Sequence, residues 1–303
     1  MARLKYYPYS FKAMGSPCLI QLYAKSKKKG QEAADAAIAD INRLESLYSR
    51  YRADSFLSKI NRVAADAGSI AVDDETAGLL DYAATCYQQS DGLFDITSGI
   101  LRQVWDFKSD QLPTHAEIDK IKKRIGWHRL KWERPVLSFG VPGMEIDFGG
   151  VVKEYAVDRA AALCFDAGIE HGVVNLGGDI KIIGPHPDGS PWRIAIQHPR
   201  NPDVALKILL LQSGALASSG DYERCITING RRYGHVLNPK TGWPVSHMAA
   251  VSVVGEFCVV AGSASTIGML KEALGADWLR DLGLPHLWID TKGGTGGSLL
   301  DAE

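Results

Sequence analysis

Residues 145–184 read EIDFGGVVKEYAVDRAAALCFDAGIEHGVVNLGGDIKIIG, and the fold turns on them. A short apolar run carrying Asp147 meets the pair Gly149-Gly150. Val152, Tyr155, Ala156, Arg159, Ala160 and Leu163 then recur at spacings of three and four, the period of a helix. Gly168 stands where a C-cap glycine would end that helix. The β-branched run 172–175 follows and meets a second pair, Gly177-Gly178, just before Asp179. Glycines ahead of a helix let the backbone approach a ligand closely. The first helical N–H groups lack internal partners and sit at the positive end of the helix dipole, and Lys153 in the first turn adds a full charge. The same residues fit either an anion-binding turn or a tight strand-to-helix connection with Lys153 solvated. The spacing is neither G-x-G-x-x-G nor a Walker A loop, so neither nucleotide fingerprint applies.

Outward from this unit, strands outnumber helices. Toward the N-terminus, 11–22 reads as a strand with a bend at Met14-Gly15-Ser16. Met14 is either core or a contact to a flat ring. Lys25 and Lys27-Lys28-Lys29 read as a solvated loop before an amphipathic helix over 31–51. Tyr51, between two arginines, either covers a ligand or is a surface tyrosine. Asp54 or Ser55 suits the N-cap of a second short helix, and a third spans 74–89. Residues 91–99, DGLFDITSG, form a loop dense in hydrogen-bonding groups. A short helix over 116–124 and a strand over 136–139 precede the central unit.

Toward the C-terminus, 192–197 and 205–212 read as strands. A hairpin pairs 225–228 with 232–237 around the type I′ signal Asn229-Gly230 and delivers His235. A strand at 250–254, a helix at 259–274 and a strand at 286–290 follow. Hairpins joining many strands favour a mixed α+β fold over a doubly wound parallel sheet. The expectation is antiparallel and mixed sheets flanked by helices, in one compact two-lobed domain over 1–292, with a flexible glycine-rich tail over 293–303.

The chain has 303 residues, 46% hydrophobic and 23% charged, with net charge −1. That composition is ordinary for a globular protein with a sizeable core. It gives no general attraction to nucleic acid or anionic membrane. No apolar stretch approaches the ~20 residues of a membrane span. The N-terminus lacks the apolar core of a signal peptide, so the protein is expected in the cytoplasm, although a trimmed chain would read the same. Cys18, Cys86, Cys164, Cys225 and Cys258 form no CxxC pair, which argues against a disulfide framework or a zinc site.

The motifs MGS at 14–16, Tyr51 with DSFLSKINR at 54–62, GLFDITSG at 92–99 and IDFGGVVKEYAVDRAA at 146–161 fall in order along the chain. NLGGDI at 175–180, ASSGDYER at 217–224, YGHVLNPKTGWPV at 233–245 and AGSASTIGML at 261–270 continue the series. Together they resemble the ApbE family of FAD:protein FMN transferases over nearly the whole chain. The resemblance implies an enzyme that binds FAD and Mg²⁺, the metal bridging the diphosphate. It implies that a Thr or Ser hydroxyl of an acceptor flavoprotein attacks the FMN phosphorus while AMP leaves. It assigns flavin and adenine contacts to Met14, Tyr51, Leu93, Phe94, Asp95, Asp147, Lys153 and Val236, and the catalytic histidine to His235. It assigns the metal to the carbonyl of Gly150 and to Thr266, with an Asp four residues before that threonine.

Such chemistry needs charge neutralisation and positioning more than a reactive side chain. Here the chain departs from the pattern, because the position of that Asp is Gly262. Two further departures are Glu154, where a small residue usually follows the lysine, and Asn238 in place of an Asp after the histidine. A glycine brings no carboxylate, so a second reading stays open: an FAD carrier or regulatory relative with a degenerate metal site.

Overall fold

Eight strands form one sheet whose spatial order is the order of the chain. They are β1 (Lys5–Ala13), β2 (Ser16–Ala24), β3 (Gly172–Leu176), β4 (Asp179–Gly184), β5 (Ala215–Gly220), β6 (Met248–Gly255), β7 (His286–Asp290) and β8 (Thr295–Gly296). Each pairs antiparallel with the next. The structure, a computed structural model, describes residues 3–109, 111–222 and 224–301. Its helices are α1 (Lys27–Tyr48), α2 (Phe56–Ala65), α3 (Asp74–Gln89), α4 (His115–Lys122), α5 (Val152–Asp166), α6 (Cys258–Leu270), α7 (Gly275–Leu282) and α8 (Ser298–Asp301).

The period-two alternation of the strands builds two cores. Val174 and Leu176 face the helix layer of α1, α5 and α6, where Ile20, Leu22, Ala37, Ile41, Val157 and Ala261 pack. Val173, Ile180, Ile182 and Leu216 face the other way, under a hairpin of Trp192–His198 with Asn201–Leu211. Long insertions between neighbouring strands carry the rest. The β2–β3 connection holds α1 to α5 and a small sheet ordered Ser69–Ala71, Val136–Phe139, Leu130–Glu133. The β5–β6 connection holds the hairpin Cys225–Ile228 with Arg231–Gly234. The result is the α+β architecture expected from the sequence, and no described helix is long and apolar enough to cross a membrane.

Several boundaries moved, each for a local reason. The expected single strand over 11–22 is two strands, because Met14 (φ 51°) and Gly15 (φ 74°) reverse the chain into the β1–β2 hairpin. Lys27-Lys28-Lys29 are the first turn of α1 and not a loop, since Ser26 caps the helix by accepting from the Lys29 N–H at 3.2 Å. The helix expected over 259–274 ends at Leu270. Glu272 lies at φ 54° and its carboxylate accepts from the Ser246 and His247 N–H groups, so α7 starts anew at Gly275.

The segment from 293 was expected to be a flexible tail, and its described part is docked. Thr295–Gly296 pairs with β7, and Leu299 is buried in the second core. Its glycines serve close approach and not looseness. A Cβ at Gly296 would sit 2.4 Å from the Trp288 ring, and one at Gly297 would sit 2.3 Å from the His286 carbonyl oxygen. Residues 302–303 of that segment lie outside the described residues.

Candidate active site

The loops at one end of the sheet converge: the β1–β2 turn, the Gly177-Gly178 turn between β3 and β4, the end of β5, and the connection carrying His235. The start of α5 closes this end from the helix layer. No side chain caps α5, whose N-cap is Val151, and the Val152 N–H donates to the Phe148 carbonyl at 2.9 Å. Helix α6 runs antiparallel beside it. The Asp158 carboxylate accepts from the Cys258 and Val259 N–H groups at 2.8 and 3.0 Å, replacing the side-chain cap that Phe257 lacks. One turn along, Glu154 lies against Gly262: a Cβ there would stand 2.5 Å from Glu154 Cγ and 3.1 Å from Oε1. Extended by one turn, that register would bring position 150 opposite Thr266. The hydroxyl of Thr266 is 2.8 Å from that of Ser219, at the end of β5.

Three cations surround His235. Burial lowers its pKa first, and the positive charges of Arg224, Lys153 and Arg50 lower it further, against a backbone hydrogen bond to Arg224 that pulls upward; the net value is about 4. The imidazole is therefore neutral at pH 7, and its buried Nδ1 has no hydrogen-bond partner among the described residues. Lys153 does not face solvent as a free charge: its Nζ is 2.8 Å from Asp179 Oδ2, and that carboxylate is buried at the head of β4.

Arg50 pairs with Asp147 and also donates to the Tyr51 hydroxyl at 3.0 Å, which Arg224 approaches at 3.3 Å. The Tyr51 ring is 74% exposed, so it stands at the mouth of the site. Burial would raise its phenol, but the hydrogen bonds and charges of Arg50 and Arg224 win and lower it.

The remaining expected residues divide into two groups. Met14 sits half-buried at the β1–β2 turn, and a Cβ on its neighbour Gly15 would lie 3.9 Å from Arg224, which ties this turn to the cation cluster. Phe94 is buried against Gly150, and Leu93 is half-buried beside it. Asp95 turns inward: its carboxylate accepts from the Thr97 N–H and hydroxyl and from the Trp127 N–H, and burial raises its pKa against those bonds. Its geometry serves the loop backbone. Val236 is buried in the main core, its carbonyl accepting from the Val245 N–H at 3.0 Å.

Asn238 closes the turn after His235, its amide oxygen accepting from the Lys240 and Thr241 N–H groups. A carboxylate would do the same, which makes the Asn a small change. Sequence reasoning missed Arg50, Arg224, Asp179 and Ser219. The only signal available was the pair of arginines flanking Tyr51.

The resemblance noted in the motifs is borne out by comparison with known proteins. A profile described as the ApbE family matches residues 14–288. The chain belongs to the ApbE family. An FAD:protein FMN transferase of Chlamydia pneumoniae is 33% identical over 256 residues, covering 82% of this chain and 78% of that protein. The crystal structure of an ApbE protein from Thermotoga maritima matches with a TM-score of 0.87 at 30% identity, covering 98% of each chain. That of the flavinyl transferase ApbE of Pseudomonas stutzeri, in its apo form, matches with a TM-score of 0.88 at 27% identity, covering 99% of this chain and 96% of the other. The ApbE match spans the β1–β2 turn, α5, the His235 connection and α6, so every element of the site described above lies within it.

Proposed function

We propose that this chain is an FAD:protein FMN transferase that moves FMN from FAD to a Thr or Ser hydroxyl of an acceptor flavoprotein and releases AMP. The observation that carries this reading is the neutral imidazole of His235 set among Arg50, Arg224 and Lys153 near the start of α5. A diphosphate fits such a place, because the cations and the positive end of the α5 dipole match its charge. The cations that lower the pKa of His235 weaken it as a base but keep it unprotonated at neutral pH, ready to accept a proton.

In the reaction, the acceptor hydroxyl oxygen forms a bond to the FMN phosphorus as the bond from that phosphorus to the AMP oxygen breaks. The hydroxyl proton passes to Nδ1 of His235, the ring nitrogen that no described protein group engages. The leaving AMP phosphate is met by the guanidinium and ammonium groups. The exposed Tyr51, braced by Arg50 and Arg224, forms a wall for the flavin end.

The Gly150 carbonyl and the Thr266 hydroxyl would hold Mg²⁺, which supplies charge neutralisation of the diphosphate when bound. The donor set fits a hard cation, since all the candidate ligands are oxygens. Among the described residues no three His, Cys, Asp or Glu side chains gather as a metal cage. Mg²⁺ bound together with substrate phosphates does not need a cage of three, because phosphate and water oxygens fill most of its sites; the Gly150 and Thr266 oxygens bring no carboxylate of their own.

The test is incubation of the protein with FAD, Mg²⁺ and a domain carrying an acceptor threonine. Intact mass of the acceptor and AMP are read together. An FMN-mass adduct with matching AMP is expected. FAD that stays bound while neither product forms would instead favour the carrier reading, and AMP without adduct would make the activity a hydrolysis.

A further inference from the structure

Gly262 and Glu154 depart from the family pattern separately in sequence, and the fold brings them together. Glu154 is 8% exposed and lies in the α5–α6 interface. Any side chain at position 262 would overlap it, since a Cβ would come within 2.5 Å of its Cγ, a separation that real Cβ atoms essentially never show. The Glu154 side chain therefore fills the volume into which a carboxylate on α6 would project.

We infer that the two departures are one exchange: Glu154 on α5 supplies the anionic oxygen ligand for the divalent cation that accompanies FAD, and Gly262 is glycine in order to admit it. This inference rests on the transferase reading. One turn away, Asp158 pins the two helices in the register that makes the exchange geometrically possible.

The experiment is an FAD titration of the full-length protein by flavin fluorescence, with and without MgCl₂, on four forms: wild type, E154Q, G262D and E154A/G262D. AMP release with an acceptor domain is measured alongside. Mg²⁺ should raise FAD affinity in the wild type. E154Q keeps the shape of the side chain and should fold normally, yet lose about 10–100-fold of that enhancement, the scale seen even for outer-sphere groups around a metal. G262D alone should melt at lower temperature because of the overlap. E154A/G262D should recover Mg²⁺-dependent FAD binding, the carboxylate having returned to α6.

If the wild type transfers FMN but E154Q keeps the full Mg²⁺ enhancement, the assignment of Glu154 is overturned and the transferase reading stands. FAD binding by the wild type that is indifferent to Mg²⁺ overturns the assignment whatever the transfer result. A wild type that neither binds FAD nor releases AMP removes the transferase reading itself and the inference with it.

Discussion

His235 titrates far from its usual range because burial and three neighbouring cations all disfavour the imidazolium. His235→Asn removes the proposed proton acceptor but leaves the cations in place. AMP release in the presence of acceptor should fall about 10²–10⁴-fold, while FAD affinity by flavin fluorescence should change little. The pH profile follows from the same shift. The base form persists down to about pH 4, so the acid limb of kcat/KM should lie well below the 6.5 of an unperturbed imidazole. A limb at 6.5 or above would give the base role to another group. Stability carries the matching signature: the folded pKa is below the unfolded value, so the unfolded chain binds more protons between pH 6.5 and 4. Stability should therefore decline as pH falls through that window, and the Tm of His235→Asn should decline less steeply there.

At the scale of elements, the site depends on the α5–α6 register. Asp158 accepts two N–H groups at the start of α6, a cap donated by a neighbouring helix. Asp158→Ala should cost about 1–2 kcal/mol, read as a lower urea midpoint with an unchanged slope. Asp158→Asn, which keeps one oxygen acceptor, should lose less. Periodicity in the sequence exposed both helices but not their pairing. The α5 pattern was legible because its buried residues recur at helical spacing and Gly168 ends it. The end of α6 was not, because a carboxylate bond from Glu272 to the backbone at Ser246 and His247 holds a left-handed residue that propensity does not foresee. The β1–β2 hairpin was read as one bent strand for a similar reason. Met14 occupies a positive φ that sequence rules reserve for Gly, Asn or Asp.

On the scale of the whole molecule, a sheet whose strands follow chain order keeps its loops at the two ends and gathers those of the candidate site at one of them. The C-terminal segment completes this sheet at the far edge. Leu299→Ala should therefore destabilise the protein by about 2–3 kcal/mol, a core value and not that of a loose tail, measured by thermal or chemical unfolding. An unchanged Tm would return the segment to the status of a linker. Glycine-rich composition misled here because composition does not distinguish a chain that moves freely from one that must pass within contact distance of Trp288 and His286.

The sequence by itself determined the family, the α+β class and the main helices, and it singled out His235 as the candidate catalytic histidine, because periodic burial and contiguous motifs are local properties of the chain. It also showed that position 262 carries no carboxylate. Only the tertiary structure decided what stands in that space, which cations surround His235, and that Lys153 is paired with Asp179. These are contacts between residues 11 to 185 positions apart in the chain, and they arise from helix register and strand order, which no local pattern encodes.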